Sequence, residues 1–323
     1  MEERQGGAYV RPDATNLGLP EKTLDEIIDL ARQVRAEWGF AYVASFAAGL
    51  FDISTDPAKQ FALVLRHFPG IALRFAGFAR RHQHQQPVLF SEQQLFIAQR
   101  LLLVHGKDGS LDNNPSEAEI EALAQLILYG NDIESQATPF DQSRPPSLEE
   151  GVAYILQSAS YSGRPHLANA IARTDALLVR HEEARADERL PLDKWSQDAY
   201  GLSLNDQLAG GFAAAAVLNA WSPSEGRIAL PDDLFDIPGL GGKKAALIDA
   251  LSATRDEYRT LFNQGKGDLL DLAWEITPFL QKPFLRASNG TLYLTSPRCL
   301  TTWLYDGFFH RLLQRAQCEG EGT

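Results

Sequence analysis

The chain has 323 residues, a net charge of −12, and 44% hydrophobic against 22% charged residues, which excludes a disordered chain and is long enough for one large core or two ordinary ones. The acidic balance excludes a grip on nucleic acid over the whole surface, because phosphate binding needs local positive potential; such a contact has to come from a small basic patch. Two cysteines, Cys299 and Cys318, exclude a disulfide framework and fit a reducing compartment, and with no apolar signal core and no apolar run near the roughly 20 residues of a membrane helix, the expected setting is cytoplasmic with no membrane partner.

Residues 1–20 read as a flexible tail, broken by Gly6, Gly7, Pro12 and Asp13. An N-terminal helical lobe is expected over 21–143. Thr23 and Glu26 form a capping-box signature, followed by Leu24, Ile27, Ile28, Ala31 and Val34 at helical spacing, and apolar residues continue through Phe40, Val43, Phe46 and Leu50 with an interruption expected at Gly39. Pro57 opens the next helix. Ser91 with Gln94 and Ser116 with Glu119 cap two more, and Ser147 with Glu150 caps another after the Pro145-Pro146 break.

A C-terminal helical lobe with a β-hairpin near 283–295 is expected over 147–323, the lobes dividing between Gln142 and Lys194. Arg185 to Lys194 reads as a linker or exposed bend. The Gly- and Ala-rich stretch from Leu204 to Ala220 reads as a buried central helix whose small side chains permit close approach. Phe284-Leu285-Arg286 and Leu292-Tyr293-Leu294 flank Asn289-Gly290, the signature of a type I′ turn. A last helix is expected from Pro297 to Ala316. The fold class is therefore all-α, an irregular helical bundle or solenoid with one small β-hairpin near the C-terminus. No fixed-length repeat is present.

Ile237-Pro238-Gly239-Leu240-Gly241-Gly242-Lys243-Lys244-Ala245-Ala246-Leu247-Ile248 resembles the helix-hairpin-helix element of DNA repair and recombination proteins. The resemblance implies nucleic-acid binding by Gly239, Gly241, Lys243 and Lys244: the glycines allow a tight turn, and the helix N-terminus and lysines face a phosphate. The alternative is a plain connection in which Gly239 and Gly241 make the turn. Asp232, Asp233 and Asp236 just before it repel phosphate and leave the first helix short.

Other candidates are weaker. Asp108, Ser110, Asp112 and Glu119 fall at calcium-loop spacing, but Asn113 and Pro115 break the motif, and a capped interhelical turn is the better reading. His82 and His84 lie in a basic segment with no completing ligand, and Arg185 stands where a zinc-protease motif from His181 needs its second His. No cofactor, metal or catalytic residue is assigned.

Gly201-Leu202-Ser203-Leu204, Phe235, Pro278 to Phe284, Ser296-Pro297-Arg298 and Asp306 to Leu313 together resemble the helical region that precedes a restriction-endonuclease-like domain in large uncharacterised bacterial proteins, a group that includes anti-phage candidates. The resemblance implies a nuclease after the last helix, whereas the chain ends at Thr323, so no catalytic residue carries over. The function expected is a non-enzymatic scaffold or adaptor of a bacterial defence or nucleic-acid-processing system. The alternatives are a hydrolase or nuclease with a dispersed active site, or a DNA-contacting helix-hairpin-helix protein. The broad apolar face of the last helix makes Trp303, Phe308 and Phe309 the expected interface with a protein partner or a second copy, and DNA or RNA backbone contact at the Gly239 turn stays open.

Overall fold

Three helix starts follow the caps that the sequence carries. The computed structural model describes residues 9–10, 12–51, 57–82, 86–87, 90–111, 114–137, 192–220, 228–236, 239–263 and 268–304. Within it, the Thr23, Ser91 and Ser116 hydroxyls accept the backbone N–H three residues on, and Glu26, Gln94 and Glu119 return a bond to the cap's own N–H. These reciprocal bonds satisfy amides that a helix end leaves without partners. The cap expected at Ser147 lies outside the described residues. The chain is mostly α-helical with a small sheet near the C-terminus, and none of the described helices is long and apolar enough to cross a membrane.

The chain divides into two units. Among the described residues, unit 1 comprises 9–137 together with 259–275, and unit 2 comprises 192–258 together with 276–304. The boundary expected after residue 143 lies outside the described residues.

Unit 1 holds β1 (Tyr9–Val10), α1 (Leu24–Gln33), α2 (Ala36–Phe51), α3 (Pro57–His67), α4 (Pro69–Arg81), β2 (Gln86–Pro87), α5 (Glu92–His105) and α6 (Glu117–Gln136). β1 and β2 pair in parallel. Helix α5 is buried along almost its whole length, from Gln93 to Leu103, and is the centre on which α1, α2 and α6 pack. The interruption expected at Gly39 falls instead at Val34 and Arg35. Val34 is extended, its carbonyl accepts Lys107 N–H at 3.0 Å, and Ala36 N–H donates to the Lys107 carbonyl at 2.9 Å. Bridging to the α5–α6 connection, not a glycine, ends α1. Gly39 serves packing: a Cβ there would sit 2.8 Å from Val34 Cγ1 and 3.1 Å from both Leu102 methyls.

Segment 259–275 returns to unit 1 through polar bonds as well as apolar burial. Arg100 Nη2 pairs with Asp271 Oδ2 at 2.7 Å, with side chains 7% and 11% exposed. Trp274 Nε1 donates to the Ala137 carbonyl at 2.8 Å, Arg259 Nε to the Leu103 carbonyl at 3.1 Å, and Gln93 Nε2 to the Ala273 carbonyl. The last three close on backbone carbonyls of α6's end, of α5 and of the returning segment.

Unit 2 holds α7 (Leu192–Tyr200), α8 (Leu204–Ala220), β3 (Ala229–Leu230), α9 (Lys244–Leu251), β4 (Ser252–Ala253), the first turn of α10 (Arg255–Asn263), and, after the excursion to unit 1 that contains α11 (Leu269–Trp274), α12 (Thr277–Gln281), β5 (Phe284–Arg286), β6 (Leu292–Leu294) and α13 (Pro297–Thr302). The small residues of α8 permit the close approach that the sequence implies: a Cβ at Gly210 would lie 2.5 Å from Leu247 Cδ2, and one at Gly211 would lie 2.3 Å from Leu304 Cδ2. Lys194, read with a linker, is helical in α7.

The expected hairpin is the centre of a four-stranded sheet, in the order β3-β6-β5-β4. β5 and β6 are antiparallel with Leu285 opposite Tyr293; β3 adds antiparallel to β6 and β4 parallel to β5. Its turn is not type I′. No described residue other than glycine has positive φ, and Gly290 alone in this loop does, at 85°. Gly290 N–H donates to the Ala287 carbonyl and Ala287 N–H to the Thr291 carbonyl, both at 2.9 Å. That is a three-residue loop with a left-handed glycine at its end, which suits the strand twist as a bulged hairpin.

Candidate interaction surface

At the glycine-rich turn Gly241 to Lys243 form a short 3-10 turn that leads into α9, and the lysine charges are neutralised. Gly239 takes φ 90° and is exposed with open space around it. The described residues before it are β3 and a turn through Asp236, with no helix among them. Lys243 Nζ donates to Asp206 Oδ2 at 2.6 Å and Lys244 Nζ to Asp236 Oδ2 at 2.8 Å. Asp206 also accepts the Ser203 N–H that precedes α8. Burial works against its ionisation, but the Lys243 and Ser203 bonds outweigh it and hold the carboxyl below its ordinary range. Both lysines thus serve helix ends and acidic neighbours inside unit 2, and a phosphate would have to displace carboxylates to reach them.

The loop with calcium-like spacing closes on itself in the same manner. Glu119 accepts from Arg35 Nε at 2.9 Å, with both side chains under a tenth exposed, and from Lys107 Nζ at 3.3 Å. Arg35 Nη1 also reaches the Ser110 carbonyl. Burial opposes the Glu119 charge, yet the bonds from Arg35, the Ser116 backbone and Lys107 win and bring its pKa down to about 2. Asp112 and Asn113 lie outside the described residues. Among the described residues no group of three or more His, Cys, Asp or Glu side chains is close enough to hold a metal ion. His82 stacks on Phe78 with ring centroids 4.4 Å apart, and His84 lies outside the described residues.

A dispersed enzyme site would bring acids and a lysine together in a cleft. The nearest such gathering in unit 2 is at β5. Arg286 reaches Asp249 Oδ1 at 2.8 Å and Glu257 Oε2 at 3.6 Å, and Lys282 Nζ donates to the Asp249 carbonyl. Both carboxylates are more than half exposed and share one guanidinium, and Glu257 is further occupied by Thr254. Of the interface residues expected from the last helix, Trp303 is packed inside a single copy, 1% exposed, against the position of Gly211. Phe308 and Phe309 lie outside the described residues.

The helix pair α3–α4 differs from all of these. Residues 57–82 carry Lys59, Arg66, Arg74, Arg80 and Arg81 and no Asp or Glu, which leaves −17 on the rest of a chain whose total is −12. The inner faces bury Leu63, Val64, Phe68, Ile71, Ala72, Phe75 and Phe78, so the remaining positions are held outward by helical periodicity. Lys59, Arg66, Arg74, Arg80 and Arg81 are exposed. Leu65 and Leu73, 52% and 83% exposed, are the large apolar side chains left in solvent among the described residues, and both are on this pair. His67 contributes no charge near neutrality, since burial, aided by Arg66, lowers its pKa to about 4, and its carbonyl accepts the Tyr42 hydroxyl at 2.9 Å.

Beside α4 runs an open groove of about 510 Å³, lined by the turn Thr15 to Gly18 and by Leu73, Arg74, Gly77 and Arg81. Arg74 Nη1 donates to the Leu17 and Gly18 carbonyls at 3.0 and 2.9 Å, and Arg81 Nη2 to the Asn16 carbonyl. Carbonyls fix the direction of a guanidinium without cancelling its charge, and each guanidinium keeps further N–H donors. Sequence reasoning singled out only the Arg80-Arg81 end of this surface. A running count of acids would have found the rest, because no Asp or Glu occurs between Asp56 and Glu92.

No protein-family model, curated protein or solved structure matches the chain.

Proposed function

We propose that this chain is a non-enzymatic helical adaptor that docks an acidic protein surface on α3–α4. The observation that carries the proposal is the pairing of two exposed leucines with five cations in an acid-free helix pair of an acidic chain. Apolar side chains set among arginines suit a protein interface, where an apolar anchor is desolvated and arginine is enriched around it. A phosphate backbone would use the arginines and gain nothing from Leu73. A setting in a bacterial defence or nucleic-acid-processing system rests on the resemblance alone.

The test is fluorescence anisotropy of the full chain with two labelled probes, a synthetic helical peptide of Glu and Leu and a short duplex DNA. The peptide binds at low salt, and Arg66→Glu with Arg80→Glu weakens it about tenfold or more, since rim and interface charges act through complementarity. Binding of DNA more tightly than peptide, or no binding of peptide, contradicts the adaptor.

A further inference from the structure

The geometry points to a second copy of this chain as the acidic surface on which α3–α4 docks, through the outer face of α1; this rests on the adaptor reading above. Glu21, Asp25 and Asp29 are exposed at spacings of four residues, so they form one stripe along α1 and its approach; Asp29 also takes Arg32 Nη1 at 2.7 Å, in a pair 61% and 60% exposed that contributes little and that a docking cation can replace. Leu24 and Ile28 beside them are only partly buried. The stripe offers what the leucines and arginines of α3–α4 lack, carboxylates next to apolar surface.

Within unit 1 the two stripes are linked through Arg74, which binds the start of the segment that leads into α1. The short connection 18–23 lies between them: Arg74 holds its start through the Leu17 and Gly18 carbonyls, and Tyr129 holds its middle by donating to the Pro20 carbonyl at 2.6 Å. Glu21, the first acid of the stripe, follows Gly18 by three residues, so the acidic stripe begins within roughly 15 Å of the Arg74 guanidinium. A pairing in which α3–α4 of each protomer meets α1 of the other makes the same contact twice, which is the self-complementarity that an isologous dimer needs. Docking on exposed acids of unit 2, such as Asp232 and Asp233, would be heterologous and would not by itself close.

Size sets the strength. Helices of 11 and 13 residues are about 16 and 20 Å long and pack 8–10 Å apart, so the pair with α1 offers roughly 500–600 Å² per protomer, below the roughly 800 Å² of a standard interface. The dimer is therefore weak and depends on salt, because its exposed charges are screened within about 10 Å at 0.1 M.

Sedimentation velocity of the full chain, from about 1 to about 300 µM at low and high salt, tests it. The expected result is a reversible dimer at low salt that dissociates at high salt. Leu73→Asp, and separately Arg66→Glu with Arg80→Glu, each weaken it at least about tenfold, with unchanged circular dichroism because these side chains are exposed. Adding Asp25→Arg and Asp29→Arg to the arginine pair restores association to within about threefold, which a general loss of folding would not do. A monomer throughout, a dimer indifferent to these changes, or a charge swap without recovery overturns the inference. If the chain stays monomeric while the acidic peptide still binds α3–α4, the second copy is wrong and the adaptor stands; if neither associates, both fall.

Discussion

At the Gly239 turn and on α3–α4 the same kinds of side chain have opposite fates. Lys243 and Lys244 follow a glycine pattern that resembles a phosphate-binding element, yet each ends on a carboxylate supplied by its surroundings. The cations of α3–α4 follow no motif, yet no acid within the pair meets them, and Arg74 and Arg81 rest on neutral carbonyls. The lesson is that a motif fixes backbone shape and residue identity, while the availability of charge is set by neighbours. The buried pairs Arg35–Glu119 and Arg100–Asp271 extend the first case: at these places charge is turned inward to close the fold, and on α3–α4 it is turned outward.

The largest effect belongs to inward charge. Glu119→Ala removes one partner of a buried pair and leaves Arg35 uncompensated, so urea denaturation shows a loss of about 3–5 kcal/mol; a loss below about 1 kcal/mol would mean that pairing does not hold this corner and would dissolve the contrast with α3–α4. Acid comes next. The His67 pKa lies at about 4 in the fold against an ordinary 6.5, so the unfolded chain takes the proton first. Its contribution is complete above pH 6.5 and is lost as pH falls towards 4, up to about 3 kcal/mol. Glu119, brought to about 2 from 4.5, adds a second loss only as pH falls from 4.5 towards 2. Thermal melts of a His67→Phe variant have a shallower first slope, the remainder belonging to His105, whose pKa burial and nearby arginines also lower, and keep the second.

Smaller effects separate the two basic regions directly. Lys243→Ala with Lys244→Ala destabilises by no more than about 1 kcal/mol, since partly exposed ion pairs contribute little, and leaves peptide binding at α3–α4 unchanged; a loss of binding would move the docking site to the turn. Leu73→Asp changes stability by less than about 0.5 kcal/mol, because the side chain is in solvent. A larger loss would show that Leu73 packs within one copy.

Local rules made much of the fold legible. The caps at Thr23, Ser91 and Ser116, the small-residue helix at 204–220 and the strands around Asn289-Gly290 each carry a signal within a few residues. What stayed hidden depends on distant partners. Strands β3 and β4 have two residues each, too few for any periodicity. The break at Val34 depends on Lys107, and the return of 259–275 to unit 1 depends on Arg100, Gln93 and Ala137, none of which sequence spacing predicts. Gly39 was misleading because a glycine chosen for close approach looks the same in sequence as one chosen to break a helix. At the candidate surface, the arginines were visible and the absence of acids was countable, but the exposure of Leu65 and Leu73 was not, since the same leucines would fit a buried face.

Hydroxyl-radical footprinting with and without the acidic peptide tests the central claim most directly, because it reads side-chain exposure at both basic regions in one sample. The account predicts strong protection of Leu65 and Leu73 and no change at the partly exposed Lys243 and Lys244. Protection confined to the residues around Gly239, with Leu65 and Leu73 as reactive as in the free chain, would contradict it.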